Sequence, residues 1–180
     1  MKSNHRYPKA ASGPFEAPPE EFVDQEDRTI EVKPYNGLDS EFEAVVEMYT
    51  EFDPSDRAQG IPPKKEPRVR SWLENLFDDD CLNVIAWDGN TAAGHSTLVP
   101  DGDGDHEVAI FILRPYQGAG IGTELTRSVL GYGEEHDISK VWLTVERWNH
   151  PAIGLYEKIG FETTRAESFD LEMAIRIAAE

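Results

Sequence analysis

At 180 residues, with 39% apolar and 29% charged residues, the chain has the length and composition of one soluble globular domain plus a tail. Its 35 acidic and 17 basic residues give a formal net charge of -18, which argues against nucleic acid as a partner because a polyanion is repelled. No stretch approaches the roughly 18 to 20 apolar residues of a membrane span, and the first residues lack the apolar run of a secretory signal.

Cys81 is the only cysteine, so no internal disulfide can form, and a reducing cytoplasm is the expected setting. Acid is spread from Glu16 to Glu180 without a single block, and lysine is sparse. This reads as a surface kept hydrated in high salt, where repulsion between carboxylates is screened, as in a haloarchaeal-like organism. A surface for a large cationic partner is the competing reading.

Residues 1–27 carry Pro8, Pro14, Pro18 and Pro19, many acids and few aliphatics, and are expected to be a disordered tail ahead of a domain over residues 28–180. "TIEVKPY" at residues 29–35 predicts the first strand. In residues 40–52, Phe42, Val45, Val46 and Tyr49 follow helical spacing, and Ser40 with Glu43 suits a capping box. A loop rich in proline and charge leads to a second helix, marked by Val69, Trp72, Leu73 and Leu76. Asp88-Gly89-Asn90 then turns a hairpin between two strands. "DGDGD" turns the chain again into the apolar strand "HEVAIFIL".

Next comes "RPYQGAGIGTEL", with Gly118, Gly120 and Gly122 directly before a helix expected to reach about His136. "KVWLTVE" is a further strand. Asn149 is placed to cap another helix, with Pro151 in its first turn and Gly160 ending it. The last strand alternates Phe169, Leu171, Met173, Ile175 and Ile177 on one face, with a short extra strand possible near Phe161. The order β-α-α-β-β-β-α-β-α-β implies an α/β fold with a mixed, mostly antiparallel sheet and one crossover.

A glycine turn at a helix start points backbone N–H groups into one concavity, where the helix adds about half a positive charge, so it suits phosphate. A P-loop would need lysine after the turn, and Gly122-Thr123-Glu124 has none. A dinucleotide fold would need the turn after the first strand and a G-x-G-x-x-G spacing. The pyrophosphate of coenzyme A and a plain packing turn remain.

"QGAGIG", Gln117 to Gly122, fits the Q/R-x-x-G-x-G/A signature of the GNAT superfamily of N-acetyltransferases, which the chain resembles from about Thr29 to Ala178. "HEVAIFIL" is similar to that family's fourth strand and "NHPAIGLYEKIGFE" to its second conserved segment. One departure is Pro115, two residues before Gln117 where the family often has it three before. The resemblance implies a GNAT-like fold and acetyl transfer from acetyl-CoA to a primary amine, by direct attack in a ternary complex. It places the cofactor on Gln117, Gly118, Ala119, Gly120, Ile121, Gly122 and Thr123, on the strand backbone of Phe111, Ile112 and Leu113, and on Asn149. It also implies Glu107 as the catalytic base and Tyr156 as the acid for the leaving thiolate.

Each assignment has a plainer alternative: Glu107 as a solvated strand end, Tyr156 as core packing, Asn149 as a helix cap alone. His106 is a rival base, but alternation turns it to the opposite face. No metal is expected, since "DGDGDHE" lacks the glycine and glutamate of a calcium loop and His95, His106 and His150 lack zinc spacing. The acceptor amine is unassigned: a protein N-terminus, a lysine, a polyamine or a small amine. Asp53, Asp56 and Glu66, in the region between the first two helices, would favour a cationic one. The chain is expected to be a monomer or homodimer without membrane attachment. A non-catalytic acetyl-CoA sensor and a protein-binding adaptor on the same fold are the alternatives to an enzyme.

Overall fold

The computed structural model describes residues 4–57 and 61–178. Its strands and helices follow the order β1 (Glu20–Val23), β2 (Thr29–Pro34), α1 (Asp39–Thr50), α2 (Glu66–Leu76), β3 (Leu82–Asp88), β4 (Thr91–Pro100), β5 (His106–Ile112), α3 (Ile121–Glu135), β6 (Lys140–Glu146), α4 (His150–Ile159), β7 (Glu162–Ala166) and β8 (Asp170–Arg176). The eight strands form one sheet in the order β1-β2-β3-β4-β5-β6-β8-β7. Every pairing is antiparallel except β5 with β6.

Strand alternation builds a separate core on each face of this sheet. Val108, Val141, Leu143, Met173 and Ile175 bury against α3 and α4, joined by Leu125, Val129 and Ile159. Ile85, Trp87 and Ala92 bury on the other face against Val45, Tyr49, Val69 and Leu73 of α1 and α2. The result is an α/β/α sandwich. The β3–β4 hairpin turns at Gly89, whose φ of +60° suits the two-residue loop between paired Asp88 and Thr91.

The segment expected to be a disordered tail differs in the structure. Residues 20–23 add strand β1 to the edge of β2, with Phe22 packed on the α3-side core. Ahead of it, Ser12 N–H donates to the Arg176 carbonyl at 2.8 Å, and Phe15 packs against the same core. Composition misleads here because these residues bury little among themselves. They order by adding to surfaces the domain already presents.

Two local expectations shift as well. Helix α1 begins at Asp39, and Leu38 N–H donates to Glu41 Oε1 at 3.2 Å, so Ser40 and Glu43 do not form the cap. Phe169 lies before β8 and is 68% exposed, while Met173, Ile175 and Ile177 bury as expected. The possible extra strand near Phe161 is β7.

Candidate active site

The sheet has a gap at its centre. Strand β5 pairs with β4 along its whole length, and β6 pairs with β8 along its whole length. Between them, β5 and β6 pair only at His106↔Val141 and Glu107↔Trp142. Beyond those residues the strands part, leaving a V whose vertex is at Glu107 and Trp142. The helices that follow the two strands, α3 and α4, begin at its open end, so two positively polarised helix N-termini flank the mouth.

The glycines at the start of α3 have two different reasons. Gly118 and Gly120 have φ of +73° and +90°, a region that disfavours side chains. No atom would lie within 4 Å of a Cβ on Gly118, and only the Gln25 amide, at 3.4 Å, would meet one on Gly120. The turn is therefore open. Gly122 instead lies where a Cβ would come within 3.0 Å of Leu155 Cδ1, so it allows α3 and α4 to pack closely. Ala119 and Ile121 are buried, so the turn presents Gly118 and Gly120 at the surface, and Thr123 is half-buried in the first turn. The Asp24–Arg28 turn braces this loop: Gln25 N–H donates to the Ala119 carbonyl at 3.0 Å, and the Arg28 guanidinium stacks 4.4 Å from the Tyr116 ring.

The strand backbone expected at Phe111, Ile112 and Leu113 divides between the two edges of β5. Leu113 N–H donates to the Ala93 carbonyl at 2.9 Å, which makes Leu113 and, by alternation, Phe111 face β4. The open edge belongs to Ile110 and Ile112, so Phe111 and Leu113 are corrected as backbone donors into the V. Phe111 instead packs its ring at 5.5 Å from Tyr49 and 5.6 Å from Trp72.

Gln117 is also committed: its amide donates to the Ile112 carbonyl at 3.0 Å and to Asp56 at 3.1 Å. Arg114 pairs with Asp53 at 3.0 Å and Asp56 at 2.7 Å, and Glu66 pairs with Arg70 at 3.0 Å. These three acids are therefore engaged with arginines of their own chain, against the expectation that they attract a cationic acceptor. Asp53 and Asp56 clamp the start of the α1–α2 connection to the end of β5. Residues 58–60 of that connection lie outside the described residues.

Glu107 and Tyr156 lie on opposite faces of the sheet. Val108 and Ile110 pack on the α3 side, so Glu107 points to the α1 side, and His106 to the other. The Glu107 carboxyl is exposed at the vertex, yet loss of water around it raises its pKa, with His5 lowering it and Asp101 raising it further. Burial lowers the pKa of His106. Tyr156 of α4 packs in the α3-side core, 8% exposed, with its ring 5.5 Å from Phe161. Burial pushes its pKa well above the usual tyrosine value, so the hydroxyl keeps its proton. Asn149 caps α4 by accepting from Ala152 N–H at 3.3 Å.

Sequence reasoning did not single out Trp142, Asp101 and Glu172 beside Glu107. Trp142 Nε1 donates to Asp101 Oδ2 at 3.0 Å. The available signal was alternation in β6: Val141, Leu143 and Val145 fill one face, leaving a tryptophan on the other.

The sequence profile described as the acetyltransferase (GNAT) family matches residues 42–161, and the chain belongs to that family. An N-alpha-acetyltransferase of Sulfurisphaera tokodaii is 37% identical over 82 residues, 45% of this chain and 47% of that protein. A mycothiol acetyltransferase of Catenulispora acidiphila is 39% identical over 138 residues, 73% of this chain and 43% of that protein. The chain thus spans less than half the length of these curated relatives. Among solved structures, the GNAT domain of S. lividans PAT superposes with a TM-score of 0.75 at 16% identity, over 88% of this chain and 96% of that one. A putative acetyltransferase from Salmonella typhimurium, solved with its cofactor acetyl-CoA, gives 0.68 at 15% identity, over 84% and 95%.

Proposed function

We propose that the protein is an N-acetyltransferase that moves the acetyl group of acetyl-CoA to a primary amine by direct attack in a ternary complex. The observation that carries this reading is the V between β5 and β6, with Glu107 at its vertex and the open glycine turn at its mouth. The free edge of β5 fits a pantetheine arm, which carries amides that can pair as an added strand would. The polarised N–H groups of the turn suit a pyrophosphate. The acetyl-CoA named with the Salmonella protein and the acetyltransferase relatives support the same assignment.

The residues divide the proton work by face. An amine entering from the α1 side meets Glu107, which takes its proton as the nitrogen bonds to the acetyl carbon. Reaching the neutral, attacking form costs a lysine of pKa about 10.4 near 4.6 kcal/mol at pH 7, and a peptide N-terminus about 1 to 1.4 kcal/mol, so help from a base matters most for lysine. Edge N–H groups of β5 can donate to the carbonyl oxygen as charge builds there. On the opposite face Tyr156 donates to the sulfur as the carbon–sulfur bond breaks. A thiol of pKa about 8.5 is a stronger acid than any tyrosine, so full transfer from Tyr156 is uphill. Its contribution is a hydrogen bond that strengthens as the sulfur becomes charged, the proton following on release.

The test is a panel of peptides and small amines with acetyl-CoA in high salt, following free thiol. Saturable, amine-dependent thiol release supports the reading. Tight acetyl-CoA binding without release for any amine class would contradict it and favour a sensor.

A further inference from the structure

Helices α1 and α2 cover only part of their face of the sheet, over β3 and β4. On the β6–β8 part of that face, beside Glu107, lies the chain's own N-terminal segment. The His5 ring stacks on Trp142 with centroids 4.0 Å apart, its Nδ1 is 3.1 Å from Glu172 Oε1, and its Nε2 is 3.8 Å from Asp101 Oδ2. Tyr7 donates its hydroxyl proton to Asp105 at 2.8 Å. Arg165 of β7 donates to the Asn4 carbonyl at 3.4 Å, and Arg176 of β8 to the Pro8 carbonyl at 3.0 Å. Segment 4–8 therefore crosses the side of the V from which an amine would reach Glu107.

The hollow that receives His5 has its own chemistry. Its floor is the face of an indole, which attracts cations. Asp101 and Glu172 close its sides, their side chains only 9% and 13% exposed, where charge–charge attraction is screened less than at the surface. The same Asp101 carboxylate is fixed by Trp142 Nε1 and by the N–H groups of Asp103 and Asp105, so the site is held in shape. A flat, nitrogen-bearing group between an aromatic face and two carboxylates matches a guanidinium or similar organic cation as well as an imidazole.

We propose that Trp142, Asp101 and Glu172 form the subsite for a cationic group carried by the acceptor amine, and that His5 fills this subsite in the resting chain and competes with the acceptor. This rests on the reading of Glu107 as the acceptor side. It names the acceptor class as primary amines bearing a second, cationic group. It also makes the N-terminal segment a built-in competitor: a segment seated about nine-tenths of the time weakens apparent acceptor binding about tenfold.

The test uses the full chain and two probes of similar length, agmatine, which carries a guanidinium, and n-pentylamine, which does not. The His5 ring protons, assigned by their loss in His5→Ala, are shifted by the Trp142 ring and can be followed by NMR without turnover. Agmatine should move them to their free positions, while n-pentylamine at equal concentration leaves them in place. His5→Ala should tighten agmatine binding about tenfold, leaving the KM for acetyl-CoA unchanged. His5 signals that stay fixed throughout the agmatine titration, equal displacement by n-pentylamine, or unchanged agmatine affinity in His5→Ala would each overturn the proposal. Because displacement is read without chemistry, absence of thiol release in the amine panel would count against the catalytic reading alone.

Discussion

Among single residues, Glu107 and Tyr156 carry the proposed proton transfers. Removal of a general acid or base costs typically a hundredfold to ten-thousandfold. Glu107→Gln is expected to lower kcat within that range with acetyl-CoA affinity nearly intact. The pH profile separates this from a structural effect. Because loss of water raises the Glu107 pKa, its base form appears at higher pH than that of an ordinary carboxylate. Wild-type kcat/KM should therefore rise through that raised pKa and again through the ionisation of the amine. The glutamine variant should lose the first limb, keep the second, and recover partly as pH climbs. Tyr156→Phe should keep both limbs and recover less, because the departing sulfur still lacks its donor until pH passes about 8.5. A glutamine variant that retains both limbs, measured by thiol release across the pH range, would remove Glu107 from the chemistry.

At the scale of elements, the glycine turn and the N-terminal strand make separate predictions. Gly120→Ala forces a side chain into φ of +90°, at a cost of roughly 1–2 kcal/mol in stability. Gly89→Ala meets the same restriction at φ of +60°, in a hairpin turn with nothing within 4 Å. Both variants should melt lower, but only Gly120→Ala should also lose acetyl-CoA affinity by calorimetry; equal affinity in the two would make the α3 turn merely structural. Asp24 is expected to matter to the same loop. Burial works to raise its pKa, but hydrogen bonds from Arg28 and from Glu26 N–H hold it below the usual value. That stabilisation is present above the unfolded value and is lost as pH falls through the depressed folded pKa. Asp24→Asn should therefore lower the melting temperature at neutral pH and lessen its fall in acid.

These elements also mark what the sequence made readable. The β3–β4 hairpin, the α3 glycine turn and the Asn149 cap are local, each specified by backbone needs of adjacent residues, and they stand where spacing predicts them. Strand β1 was not readable, because Glu20–Val23 contributes one packed side chain, Phe22, and owes its pairing to the edge of β2. The same limit hid the commitment of Asp53 and Asp56 to Arg114. It also hid the seating of His5 on Trp142, a contact across more than a hundred residues. Alternation put Glu107 and His106 on opposite faces of the sheet but could not say which edge of β5 stays open. That depends on the register with β4.

At the scale of the whole molecule the acid excess dominates. Repulsion among 35 carboxylates offset by 17 basic residues is screened by salt, so the folded state should gain stability as salt rises toward molar levels. A melting temperature that stays flat or falls over that range would remove the salt-adaptation reading. The ion pairs of Arg70 and Arg114 work in the opposite direction, but they are exposed and each is worth little.

The proposed function rests on acetyl transfer in the V between β5 and β6 with Glu107 as its base. The most direct measurement is single-turnover acetylation: protein preloaded with acetyl-CoA, mixed with an amine found by the panel, wild type beside Glu107→Gln. The account predicts one acetylated amine per free thiol in the wild type, and a step slowed at least about a hundredfold in the variant at neutral pH. Equal single-turnover rates, or thiol release without acetylated amine, would contradict it.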